Sequence, residues 1–199
     1  EALEKLMSRF PNLLLLSDEV YEFITFEHTH QSIHQRSAIR DRAIIVSSFG
    51  KTFHITGWKV GYLVCSAALM TEILKVHQFL VFCVNSVSQH ALDAYLDFVD
   101  VNTLGSFYQQ KRDFFRQGLK DSRFELLPAE GSYFQVANFS KISSKSDIDF
   151  CQELTIEHGV AAIPISVFNA DARDLSLVRF CYAKTEATLQ EAIDKLCKI

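Results

Sequence analysis

The chain has 199 residues, 48% of them hydrophobic and 22% charged, which is ample apolar material for a buried core. Its formal net charge of −4 leaves no basic footprint for nucleic acid, and no apolar run approaches the roughly 18 residues that span a bilayer. Five cysteines (Cys65, Cys83, Cys151, Cys181, Cys197), odd in number and widely spaced, favour reduced thiols over disulfides or a zinc site. A cytoplasmic location is the resulting expectation.

The chain opens in a segment that reads as a helix ending near Phe10. Leu13–Ser17 follows, and its unbroken run Leu13 to Leu16 is of the kind found in a strand buried on both faces. Ala43–Ser47 and Tyr62–Cys65 read as further short buried strands, Leu69–Phe79 and Ser86–Phe98 as helices. Apolar strands separated by longer segments predict a largely parallel sheet covered by helices. From about Leu104 the texture changes. Phe107, Phe114, Phe115 and Leu119 recur at near-helical spacing among Lys111, Arg112 and Arg116. Phe124–Leu127 and Tyr133–Ala137 read as strands, with Pro128 and Gly131 turning between them. Ile148–His158 is a helix closed by Gly159, and Val160–Ile163, Ser176–Tyr182 and a helix from about Glu186 complete a smaller α+β unit. The predicted class is therefore α/β with a boundary near Asn102–Gly105, dividing the chain into residues 1–104 and 105–199.

The most informative window is Ser47-Ser48-Phe49-Gly50-Lys51-Thr52-Phe53-His54-Ile55-Thr56-Gly57-Trp58-Lys59-Val60-Gly61-Tyr62. A lysine stands three residues after a serine and eight before a second cation, in a glycine-punctuated segment directly behind an apolar strand. The bland reading of Lys51 is a solvated surface charge. Gly50-Lys51-Thr52 also looks like the end of a phosphate-binding loop, but that loop needs glycine at position 45. Position 45 is Ile45, inside the run Ala43-Ile44-Ile45-Val46, and the nucleotide-triphosphatase reading fails.

Three other positions carry chemistry. Asp18 and Tyr21 lie at the carboxyl end of the first strand, where parallel sheets place ligands; their bland readings are a turn carboxylate and a packed ring. Arg179 sits within the apolar strand Ser176–Tyr182 and needs an anion, either an internal carboxylate or a ligand's. His28, His30 and His34 have only Glu27 as a nearby carboxylate, so they read as a mobile loop rather than a metal site. No metal is expected.

The Lys51 window closely resembles the Schiff-base lysine segment of the fold-type-I, pyridoxal-phosphate-dependent aminotransferases, nearest to the kynurenine/methionine aminotransferase branch of class I. The resemblance runs from Ser17 to the final helix, with several motifs in order. It implies that Lys51 is the catalytic lysine holding pyridoxal 5'-phosphate and shuttling a proton. Asp18 would meet the pyridine nitrogen and Tyr21 the phenolic oxygen, while Ser48 and Lys59 would hold the phosphate. Much of class I has arginine where this chain has Lys59, a point charge without the bidentate fork; Gly-Trp-Lys-Val-Gly is common in the branch itself. Gly57, Trp58 and Gly61 read as structural. Arg179 would bind the substrate's α-carboxylate. Phe82, beside Cys83, would shape a neighbouring subunit's substrate pocket, with plain core packing as the alternative, and Tyr133 would approach the cofactor region.

The implied reaction is ping-pong transamination of a methionine, aromatic or kynurenine-like amino acid to its 2-oxo acid, by a homodimer. Two rivals remain. One is a pyridoxal-phosphate-dependent C–S β-lyase, which shares every residue named here. The other is the aminotransferase-like sensor domain of a transcription regulator. In the family the large domain begins well before the position matching Glu1, so this sequence is expected to correspond to the C-terminal half of such an enzyme. An open sheet edge and uncovered apolar surface are then expected, with weak cofactor binding, negligible turnover and a tendency to associate.

Overall fold

A computed structural model describes residues Glu1–Ile199, which divide by contact into two compact units. The first unit comprises Glu1–Phe23 and Thr29–Leu104, and the second Ile24–His28 and Gly105–Ile199. No helix is long and apolar enough to cross a membrane.

The first unit opens with α1 (Ala2–Arg9), whose Glu4 and Arg9 complement the helix dipole at either end and whose Met7 is fully buried. Carbonyls at the helix end and just beyond need donors. Arg42 supplies them, donating to Met7, Phe10 and Pro11, each at 3.0 Å. The sheet that follows has the order β1 (Leu15–Asp18), β2 (Ala43–Ser48), β3 (Gly61–Cys65). β1 and β2 are parallel, with Asp18 in register with Val46. β3 runs antiparallel to β2, with Gly61 opposite Ser48.

Along β2, Ala43, Ile45 and Ser47 turn inward, the period-two alternation of a strand. The run Leu13 to Leu16 departs from expectation: Leu14 and Leu16 are 53% and 68% exposed. β1 is an edge strand, and Leu14 lines an open apolar cavity with Ile44 of β2 and Leu69, Ile73 and Val76 from the segment after β3. Two helices follow, α2 (Phe49–Thr52) aside: α3 (Ala67–Leu80), with no buried residue, and α4 (Ser86–Leu96), capped by the Asn85 side chain accepting from Ser88 N at 2.9 Å.

The second unit contains α5 (Thr103–Gly118, whose first two residues fall in the first unit), α6 (Asp147–Ile156), α7 (Glu186–Leu196) and an antiparallel sheet. Its strands are β4 (Glu125–Leu126), β5 (Phe134–Asn138), β6 (Ile163–Pro164) and β7 (Leu177–Cys181), in the order β4-β5-β7-β6. Only the last residue of the predicted strand Val160–Ile163 is extended in this ladder. Aromatic rings fill the core: Phe139 stacks on Phe150 at 4.2 Å, and Phe124 meets Phe180 edge-on at 5.6 Å. Gly159, at φ +65°, turns the chain after α6 in the left-handed conformation that glycine tolerates.

Ile24–His28 is held in the second unit by backbone and charge. Phe26 N donates to Glu130 O at 3.0 Å, Ser132 N donates to Ile24 O at 2.8 Å, and Arg112 pairs with Glu27 at 2.6 Å. Arg112 is 8% exposed, and Asp113 at 2.9 Å supplies its second anion.

Candidate active site

The Lys51 segment is rigid for local reasons. β2 ends at Ser48, whose hydroxyl accepts from Gly50 N at 3.1 Å and caps the single turn α2. Gly50 O then accepts from both Ile55 N and the Thr56 hydroxyl, each at 3.1 Å, folding the following loop back on the turn. Phe49, Phe53, Ile55 and Val60 pack with Val84, Leu92, Val99 and Val101. The apolar residues around Lys51 thus anchor the loop, while Lys51 itself stays half-buried and outside every ion pair of the structure. Gly61 closes the loop: a Cβ there would lie 2.6 Å from Ser47 O, so only glycine lets β3 reach β2 in this register.

Parallel pairing puts the carboxyl ends of β1 and β2 side by side. Asp18 is exposed at that edge, its Oδ1 accepting from Val20 N at 3.3 Å, and Tyr21 lies half-buried in the turn that follows. The register puts Asp18 and Ser48 at the same end of the sheet, and Tyr21 and Lys51 lie in the segments that leave it there. Lys59 is exposed, eight residues on, in the left-handed conformation at φ 57°.

Sequence reasoning missed the polar groups beneath this edge. Glu19 is 5% exposed, and its carboxylate accepts from Ser17 Oγ at 3.0 Å, His30 Nε2 at 2.7 Å and Ile33 N at 3.0 Å. Burial alone would raise its pKa, but these hydrogen bonds outweigh it and hold the carboxyl below its ordinary value. Glu22 accepts from Ser47 Oγ at 2.5 Å and Tyr62 Oη at 2.6 Å. Burial, then the Glu22 hydrogen bond, pushes the Tyr62 phenol up. Two carboxylates following an apolar strand were the available signal. The histidine segment, expected to be mobile, is instead tied down through His30 and Ile33, and Ser32 caps a 3-10 turn over Ile33–Gln35.

In the second unit, Arg179 lies on the inner strand β7, opposite Val136 of β5 and Ile163 of β6. Its guanidinium carbon is 4.1 Å from the Phe134 ring centre and 5.1 Å from that of Phe168. Arg112 has two carboxylates; Arg179 has none, and its buried Nε has no hydrogen-bond partner. No carboxylate of this chain pairs with Arg179. Tyr133 precedes β5, its ring 4.8 Å from Phe134 and 5.6 Å from Tyr108. Phe82 lies just beyond α3 in the first unit, 79% exposed and at φ 66°, an uncommon conformation for a bulky side chain. It is not core. Elsewhere, ligand atoms of Glu153, Glu157 and His158 lie within 4.8 Å of one another, but Lys145 already meets Glu153 at 2.9 Å.

Residues 1–196 match the family model for aminotransferase class I and II. The chain belongs to this family. It is 49% identical over 187 residues to a methionine aminotransferase of Escherichia coli (strain K12), covering 92% of this chain and 48% of that protein. A kynurenine–oxoglutarate transaminase of Dictyostelium discoideum is 32% identical over 213 residues, covering 95% and 49%. Among solved structures, an Escherichia coli methionine aminotransferase superposes with a TM-score of 0.92 at 47% identity, covering 98% of this chain and 53% of that one. The chain spans about half the length of the curated aminotransferases it matches.

Proposed function

We propose that this chain serves the pyridoxal-phosphate-dependent transamination of an amino acid to its 2-oxo acid. The observation that carries the reading is Arg179: a partly buried guanidinium between two rings, with an unsatisfied Nε and no internal anion. An unpaired cation in such surroundings is costly unless a ligand completes it. A planar α-carboxylate held by two parallel hydrogen bonds is the fitting ligand.

The donor set at the sheet edge fits pyridoxal 5'-phosphate. Lys51 is a primary amine without an ion pair, on a segment fixed by packing. Ser48 supplies a hydroxyl and Lys59 a charge for the phosphate, while Asp18 and Tyr21 offer a carboxylate for the ring nitrogen and a phenol for the ring oxygen. When bound, the cofactor supplies an electron sink for charge developing at the substrate Cα. Lys51 would be the general base that removes the proton from the substrate Cα and carries it away from that carbon. Asp18 would keep the ring nitrogen protonated, and Arg179 would orient the substrate. In this reading residues 1–104 belong to the larger cofactor-binding domain and 105–199 to a smaller one, and the two half-reactions alternate in ping-pong order.

Methionine, aromatic amino acids and kynurenine are the proposed donors, on the strength of relatives named methionine aminotransferase and kynurenine–oxoglutarate transaminase. The exposed Phe82 ring is the proposed apolar contact for such side chains, in a homodimer. Five free thiols suit a reducing, cytoplasmic setting.

Borohydride reduction with pyridoxal 5'-phosphate, followed by peptide mapping, should place the adduct on Lys51. Lys51→Ala should abolish it and lower any turnover by several orders of magnitude. An adduct on another lysine in that variant would overturn the assignment. Turnover that needs a 2-oxo acid separates transamination from β-elimination.

A further inference from the structure

Asp18 closes β1 in register with Val46, its side chain accepting a local hydrogen bond from Val20 N at 3.3 Å, and the half-buried turn that follows carries Tyr21. Two carboxylates tie this turn down, Glu22 through Ser47 Oγ and Tyr62 Oη, and Glu19 from the end of the strand. Glu19 does so in two directions. Its backbone N–H donates to Val46 O at 2.8 Å, carrying the β1–β2 ladder one residue past Asp18. Its side chain turns inward, where the carboxylate is 4% exposed and accepts bonds from His30, Ile33 and Ser17. Ile33 is fourteen residues away, and the Ser32-capped turn at Ile33–Gln35 presents its amide. A buried carboxylate is tolerated only when its lone pairs are filled. Here three donors fill them, and none is a cofactor or substrate group.

We propose that Glu19 is a positioning residue for the cofactor edge, locking segment 29–35 against the end of β1 so that Asp18 and Tyr21 are held in place. This rests on the reading of Asp18 and Tyr21 given above. Glu19 touches no reacting atom in it. Its contribution is preorganisation: a turn fixed before the cofactor arrives does not have to be ordered at its expense. His30 is the second part of the lock, and its loss leaves the Ile33 and Ser17 bonds in place.

The test uses the 199-residue chain with two readouts. One is amide hydrogen exchange over 29–35 without cofactor. The other is the pyridoxal 5'-phosphate concentration that half-saturates borohydride trapping at Lys51. Glu19→Gln should speed exchange over 29–35 by about tenfold or more and raise the half-saturating concentration by a similar factor. His30→Asn, which keeps the Glu19 carboxylate, should move both in the same direction by a smaller factor. Asp18→Asn should raise the half-saturating concentration and leave exchange over 29–35 as in the parent.

Unchanged exchange in Glu19→Gln would overturn the lock. Faster exchange with unchanged trapping would overturn the positioning role and reduce Glu19 to a structural residue. Unchanged trapping in Asp18→Asn would instead overturn the reading of Asp18, an outcome distinct from either.

Discussion

At the scale of single residues, Lys51 and Arg179 both stand outside the ion pairs of the structure, and what surrounds Arg179 sets it apart from Arg42, Arg112 and Arg116. Arg42 caps carbonyls, Arg112 has two carboxylates and Arg116 donates to Leu127 O and Gln135 Oε1 at 2.8 Å, whereas Arg179 is left with aromatic faces. Arg179→Lys should therefore raise the KM for amino acids at least tenfold while cofactor trapping at Lys51 stays intact, because a point charge cannot make the paired bonds of the fork. An unchanged KM in steady-state kinetics would make Arg179 a packing residue. Glu19 gives a pH signature. Its folded pKa lies below the ordinary 4.5, so its stabilisation is complete above that value and is lost as pH falls through the folded one. The gap in melting temperature between the parent and Glu19→Gln should accordingly be full near neutrality and close in acid. A gap independent of pH would count against the charge. Lys51, Asp18 and Arg179 were legible as singular residues in their windows. Glu19 and Glu22 were not, since burying a carboxylate requires donors that arrive from His30, Ile33, Ser47 and Tyr62.

At the scale of elements, the Lys51 turn is only four residues long and draws its stability from packing rather than from helix propensity. Phe53 contributes twice, stacking on Phe49 at 5.8 Å and meeting Tyr95 edge-on at 5.2 Å. Phe53→Ala should cost about 3–5 kcal/mol of stability by the cavity it leaves, measurable by denaturant unfolding, and exchange should quicken over 49–56. A loss below about 1 kcal/mol would mean the turn is held by its hydrogen bonds instead. The strands β1, β2, β5 and β7 were readable from apolar runs and alternation. The antiparallel placement of β3 was not, because Tyr62–Cys65 looks the same whichever way it pairs. Its register also depends on the close approach of Gly61 to Ser47 O, which is invisible in one dimension.

At the scale of the whole molecule, the chain builds two cores, and its second unit borrows five residues from far upstream. Ile24 is 1% exposed, so Ile24→Ala should destabilise that unit by about 2–5 kcal/mol, read by amide exchange in β5 and β7. Unaltered exchange there would mean that the segment merely lies on the unit. Exposed apolar side chains are concentrated elsewhere, on β1 and α3, with Leu16 at 68%, Phe79 at 84% and Leu80 at 78%. The sequence by itself determined the α/β class, the change of texture near Leu104, and the family, because these rest on local periodicity and on motifs a few residues long. Only the tertiary structure decided which carboxylates are buried, that none of this chain's carboxylates pairs with Arg179, and that Ile24–His28 belongs with residues beyond Gly105. Each of those depends on groups distant in sequence meeting at hydrogen-bonding range, and periodicity carries no information about such meetings.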